Sequence, residues 1–298
     1  MSRQTLGTAR TSKKDEFYTL YDDVKLELDH YIDQFKDKVI YCPCDTDKSA
    51  FVRYFLELEA KGLIKELIYT SLKNWTDFLG DAAIDGYKHS DIVITNPPFS
   101  LFRQFLSLLD ELNCKFIVWG SINAISYRKT SEMLVKDRIR IGYTSNKTCT
   151  FEVPDEYFKS LNSKAFENCD KYYVNVPSCT VFTNLYVKRQ PLPLTAKFND
   201  SYVKYSNFDA LNVNKVSEIP SDYYDLMGVP ITYLSKHDSY KFEILGIFNN
   251  FDSLDFENGR IIGDLVRLDK APWRTRGPCI NGNQAVYARV IIKRKAGS

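Results

Sequence analysis

Ser90-Asp91-Ile92-Val93-Ile94-Thr95-Asn96-Pro97-Pro98-Phe99-Ser100-Leu101-Phe102 is the stretch on which the fold turns. Residues 91–95 form a short apolar run of the kind that fills a buried strand. Leu101, Phe105, Leu108 and Leu112 follow at helical spacing, and Phe102, Leu106 and Leu109 broaden the stripe. Two prolines fix φ and restrict the residue before each of them, so the segment between strand and helix is a stiff turn.

The same alternation extends to both sides. Upstream, Val39-Ile40-Tyr41-Cys42 and Leu67-Ile68-Tyr69 read as strands. Helical patterns carry Val24, Leu28, Tyr31, Ile32 and Phe35, and then Phe51, Tyr54, Phe55 and Leu58. Downstream, Phe116-Ile117-Val118-Trp119 is a fourth strand, and a weaker helix lies around 131–137. Continuous apolar strands separated by helices predict an α/β fold with a mostly parallel sheet covered on both faces. Ligands bind beyond the carboxyl ends of such strands, so the residues after Cys42, Tyr69, Thr95 and Trp119 are the place to look for chemistry.

Past about residue 145 the pattern becomes strand-rich through 187, which suggests an edge hairpin. Lys188-Arg189-Gln190-Pro191-Leu192-Pro193 reads as a linker. Strand signals recur at 242–248, 260–267 and 285–293. The expected organisation is therefore a domain over 1–190 and a smaller region over 191–298.

Composition narrows the classes. A chain of 298 residues with 44% hydrophobic content can bury a real core, and its low net charge of +2 argues against disorder. No run has the length and apolarity of a membrane span, and the N-terminus shows no secretory pattern. Seven cysteines and three scattered histidines without paired C-x-x-C motifs argue against structural zinc and for a reducing, cytoplasmic setting. The charge is uneven: residues 1–14 carry +4, and residues 267–298 carry +7. Basic ends on a balanced body suit a polyanion.

The tetrapeptide Asn96-Pro97-Pro98-Phe99 suits a planar ring bearing an exocyclic amine. An amide oxygen and a carbonyl whose neighbour lacks an N–H can accept both amine hydrogens, and an aromatic ring can stack on the base. Drawing the nitrogen lone pair out of conjugation stabilises the transition state of an attack by that nitrogen more than the ground state. A second set lies near the C-terminus: Trp273, Arg274 and Arg276, followed by Asn281-Gly282-Asn283-Gln284. It is a sensible DNA-reading set or a charged surface loop.

With Lys14-Asp15-Glu16-Phe17-Tyr18-Thr19-Leu20-Tyr21, Tyr41-Cys42-Pro43-Cys44-Asp45, the stretch 90–102, Asp222-Tyr223, Met227-Gly228-Val229-Pro230-Ile231 and Phe242-Glu243-Ile244-Leu245-Gly246, the chain resembles the EcoRI-type adenine-specific DNA methylase family from about residue 14 onward. The resemblance implies a Rossmann-like methyltransferase fold, S-adenosylmethionine as donor, and the N6 amine of a flipped adenine in double-stranded DNA as acceptor. It assigns catalysis to Asn96, Pro97, Pro98 and Phe99. It assigns cofactor binding to Phe17, Tyr18 and Thr19 beside the methionine part, to Asp45 near the amino-acid end, and to Asp81, after Gly80, near the adenine. It implies no metal, no membrane, and a monomer, with a restriction endonuclease, where present, acting separately. Cys42–Asp47 contains no glycine, which the family shares. Tyr69-Thr70-Ser71-Leu72-Lys73 lacks the usual ribose-binding acid. The tetrapeptide is also compatible with another acceptor amine, guanine N2 in RNA or glutamine in protein. The departures are compatible with a DNA-binding relic without catalysis.

Overall fold

A computed structural model describes residues 18–43, 45–70, 78, 80–153, 165–206, 209–248, 279–280, 283–284 and 288–295. The chain divides into two compact units, one over 1–122 and 141–187, the other over 123–140 and 188–298.

In the first unit, in chain order, come β1 (Tyr18–Thr19), α1 (Tyr21–Leu28), α2 (Ile32–Phe35), β2 (Val39–Pro43), α3 (Ala50–Ala60), β3 (Glu66–Thr70), α4 (Asp81–His89), β4 (Ile92–Thr95), α5 (Phe102–Glu111) and β5 (Lys115–Ser121). After an excursion into the other unit the chain returns at β6 (Arg140–Ile141) and continues with β7 (Lys147–Val153), β8 (Ala165–Asn168) and β9 (Lys171–Thr183). The sheet runs β1-β7-β9-β5-β4-β2-β3. Strands β5, β4, β2 and β3 are parallel, whereas β9, β7 and β1 add antiparallel pairings at one edge. This is the α/β fold the alternation predicts, with a mixed sheet. The four predicted strands are all present, and residues 148–187 supply the antiparallel edge.

The periodicity over 22–35 predicts one helix, and the structure breaks it: Asp29–Tyr31 tighten into a 3-10 turn between α1 and α2. The apolar face nevertheless stays continuous. Val24, Leu28, Tyr31 and Phe35 are fully buried and join Ile40, Cys42, Phe51, Phe55, Ile94, Ile117 and Trp119 in the main core. Full burial of each such side chain stabilises the fold by about 1.5–3 kcal/mol.

Buried Gly86 on α4 packs against Tyr41 with no spare room. A Cβ there would lie 2.5 Å from Cζ of Tyr41. That ring cannot retreat easily, because its hydroxyl bonds Thr70 Oγ1 at 2.8 Å and its edge meets Tyr87 at 5.2 Å. Alanine gains about 1 kcal/mol in helix propensity but overpacking costs about 1–3 kcal/mol, so the clash wins. Gly86→Ala is expected to lower the denaturation midpoint, measured by circular dichroism.

The second unit contains α6 (Arg128–Val135), β10 (Val203–Lys204), β11 (Leu211–Asn212), β12 (Met227–Pro230), β13 (Phe242–Phe248), β14 (Cys279–Ile280), β15 (Asn283–Gln284) and β16 (Arg289–Arg294). Five of these strands form a sheet in the order β10-β11-β12-β16-β13. Val229, Val290, Ile292 and Phe242 are fully buried in it. Helix α6 packs on β13, which gives its buried Thr130, Met133 and Leu134 an apolar partner. The short β14 and β15 pair antiparallel. The segment 260–267, together with Trp273, Arg274, Arg276, Asn281 and Gly282, lies outside the described residues.

Candidate active site

The connectivity places a site before any side chain is considered. From β2 the chain crosses through α3 to β3 on one side, and from β3 through α4 to β4 on the other side of β2. The carboxyl ends of β2 and β4 therefore flank a topological switch point, where parallel sheets open a crevice. Asp45 follows β2, and Asn96-Pro97-Pro98-Phe99 follows β4.

The two strand ends are tied together. Thr95 Oγ1 lies 2.9 Å from Asp45 Oδ2 and 3.2 Å from the carbonyl of Pro43. Ser49 also hydrogen-bonds the Asp45 carboxylate, and its Oγ accepts from the Val52 N–H at 3.2 Å. The N-cap of α3 is thus Ser49, and Asp45 is free of that duty.

Asp45 is buried, and burial pushes its pKa up to about 7 against the opposing hydrogen bonds from Ser49 and Thr95. The protonated form is then favoured by folding. Stability should fall as pH rises from about 4 to about 7 and level off above, a span of roughly 4 kcal/mol. Asp45→Asn should flatten that slope in urea titrations run across the same pH range.

Asn96 is half-buried, and its Nδ2 donates to Thr19 Oγ1 at 3.1 Å. The nitrogen end of the amide therefore faces β1, and the acceptor oxygen is directed elsewhere. Pro97, Pro98 and Phe99 are buried. The Pro98 carbonyl accepts from the Leu101 N–H at 2.9 Å, closing the turn that launches α5.

Phe99 is 6% exposed and sits in a second cluster with Cys149, Phe151, Val153, Val174, Val176 and Cys179. Its ring meets Phe151 edge-on, with centroids 6.4 Å apart at 87°. The ring is thus a packed wall more than an open platform.

The structure brings Thr19, Asp45 and Asn96 together through these contacts. Tyr18 is on the same short strand and 52% exposed. Asp81 is exposed and opens the first turn of α4, where an acid also suits the helix dipole. Phe17 and Cys44 lie outside the described residues. Sequence reasoning passed over Thr95 and Ser49. A hydroxyl at the last position of an otherwise apolar buried strand was the available signal.

A buried carboxyl that holds hydroxyls, with no cationic side chain among its described hydrogen-bond partners, is chemically suited to an ammonium group. Among the described residues no cluster of His, Cys, Asp and Glu could hold a metal ion, and no helix is long and apolar enough to cross a membrane.

The model of the adenine-specific methyltransferase EcoRI family matches residues 5–76 and 60–295. This chain belongs to that family. The family is that of an adenine-specific methyltransferase, an activity that the switch-point placement of Asn96 in this chain accommodates. The chain is 33% identical to Type II methyltransferase M.EcoRI of Escherichia coli, over 87% of this chain and 94% of the relative. It is 32% identical to Type II methyltransferase M.MgeORF184P of Mycoplasma genitalium, over 96% and 98% respectively. Type II methyltransferase M.MpnI of Mycoplasma pneumoniae is 33% identical, over 96% and 97%. No solved structure matches the chain.

Proposed function

We propose that this site-specific DNA methyltransferase moves a methyl group from S-adenosylmethionine to the N6 amine of an adenine turned out of duplex DNA. The observation that supports this most is the meeting of Asp45 and Asn96 at the switch point, joined through Thr95. S-adenosylmethionine supplies an electrophilic methyl carried on a sulfonium. In this reading Asp45, with Phe17, Tyr18 and Thr19 close by, receives the donor's amino-acid end, and Asp81 lies toward its adenine. The Asn96 amide oxygen and the Pro97 carbonyl accept the two hydrogens of the target amine. Pro98 keeps the turn rigid, and Phe99 forms the apolar wall against the base. As the N–C bond forms, the carbon–sulfur bond breaks, and the surplus N6 proton leaves to water.

Extruding the adenine costs a few kcal/mol, because its amine is otherwise held in a base pair. The second unit suits the task of holding the duplex. Its sequence ranges contain 21 basic against 14 acidic residues, net +7, whereas the first unit has 19 against 24, net −5. Phosphate contacts follow that sign. We assign target recognition to 191–298 together with 123–140. The reading extends to a monomer working in the cytoplasm on each strand in turn, within restriction-modification or in protection of a mobile element's DNA, with any restriction endonuclease separate.

Incubation with labelled donor and unmethylated duplex DNA, followed by nucleoside analysis, tests the reading. Label in N6-methyladenine is expected. Label in RNA, in protein or in another nucleoside overturns it.

A further inference from the structure

We infer that Thr19 is a positioning residue of the methyl transfer, holding the Asn96 amide in the orientation that turns its oxygen toward the acceptor amine. This rests on the function proposed above and adds to it a role for the N-terminal strand that is separate from donor binding.

The inference starts from the cross-strand pair Thr19↔Phe151, one of the two residue pairs that join β1 to β7. Thr19 is buried, and its hydroxyl receives the Asn96 Nδ2 hydrogen at 3.1 Å. Phe151, its partner in the ladder, meets Phe99 edge-on. One pair of residues thus touches the first and the last member of the tetrapeptide. The strand that indexes Asn96 and the strand that indexes Phe99 are held in register with each other.

The chemistry makes that register matter. An asparagine amide has nearly the same shape when turned over, but its donor and acceptor ends exchange. A primary amine offers hydrogens, so it is held by the oxygen end and repelled by the nitrogen end. A hydroxyl that engages the nitrogen at the far side therefore selects the productive orientation before the base arrives. A slip of β1 by one residue would put Tyr18 or Leu20 opposite Phe151 and turn alternate side chains to the other face. Neither residue could set a short hydroxyl beside Asn96.

Thr19→Val and Thr19→Ser in the full chain test this. Three quantities are measured: donor affinity by calorimetry, the single-turnover rate of N6-methyladenine formation at saturating donor and DNA, and the side-chain amide ¹H–¹⁵N pair of Asn96, assigned with Asn96→Asp. For Thr19→Val the single-turnover rate should fall by about 30- to 100-fold, in line with the cost of small misplacements of reacting groups. The rate loss should persist at saturating donor whatever the change in donor affinity, and the Asn96 amide pair should move. Thr19→Ser should restore both rate and amide position. Should the valine variant fail to fold, Thr19→Ala removes the same hydroxyl without the branched methyl groups.

A valine variant with wild-type rate and an unmoved amide pair overturns the inference. So does one whose defect lies in donor affinity alone and vanishes at saturation, since Thr19 would then serve the donor and not Asn96. If the unmodified protein forms no N6-methyladenine, the proposed function fails instead, and the amide pair still reports whether Thr19 orients Asn96.

Discussion

Replacing Asn96 with alanine should leave a folded protein that binds its donor and methylates DNA about a thousandfold more slowly, at the upper end of what losing one preorganised polar group costs a transition state. The side chain is half-buried and donates to Thr19, a hydrogen bond whose loss costs about 1 kcal/mol. The loss in rate is larger because, in the proposed function, the amide oxygen acts where the amine nitrogen becomes tetrahedral, a charge rearrangement absent from the ground state. Asn96→Asp should fall between the two. It keeps an acceptor, but it places a negative charge next to Thr95, which already bonds the Asp45 carboxyl. Nucleoside analysis gives the rate, and calorimetry with the donor gives the control. Donor affinity lost along with the rate would show that Asn96 serves the cofactor and not the base.

The largest expected effect on stability lies away from the chemistry. Glu27 is fully buried on α1, and its carboxylate accepts from the Tyr31 hydroxyl at 2.9 Å, from the Tyr143 N–H at 2.9 Å and from the Thr144 N–H. It thereby satisfies two backbone donors of a turn more than a hundred positions further along the chain. Glu27→Ala strands both donors, and a stranded buried donor costs about 1–3 kcal/mol, so a loss of about 4 kcal/mol is expected. For a protein of this size that corresponds to a fall of roughly 6 °C in Tm. Glu27→Gln preserves shape but brings one N–H face to face with another, so most of the loss should remain. Differential scanning calorimetry on the two variants checks this. A glutamine variant as stable as the parent would show that shape and not acceptor capacity holds the turn.

The fold was legible where the period of the sequence matched one environment. Ile92–Ile94 and Phe116–Trp119 are apolar throughout because both faces of their strands are covered. The reading weakened where one side chain serves a distant partner. Glu27 stands between Val24 and Leu28 on the apolar face of α1, which announces a buried acid but not what it binds. Thr19 looks like a donor-site residue by its neighbours in sequence. Its contact with Asn96 arises from a strand pairing across more than a hundred residues, which no local pattern encodes. Phe99 reads as an open ring for the same reason: the cluster that covers it comes from β7 and β9. The acid after β2 was visible as a residue, but its pKa near 7 depends on burial that only the assembled crevice provides.

The excursion of the chain between Ile122 and Ile141 has an engineering consequence. Three peptide crossings, not one, stitch the two units together, after 122, after 140 and after 187. A hybrid made by swapping everything beyond residue 187 would leave α6 behind among strangers, its Met133 and Leu134 stripped of β13. With target recognition in the second unit, as proposed above, grafting a new sequence preference calls for a paired exchange of both segments, and single-cut hybrids should come out of cells as insoluble material.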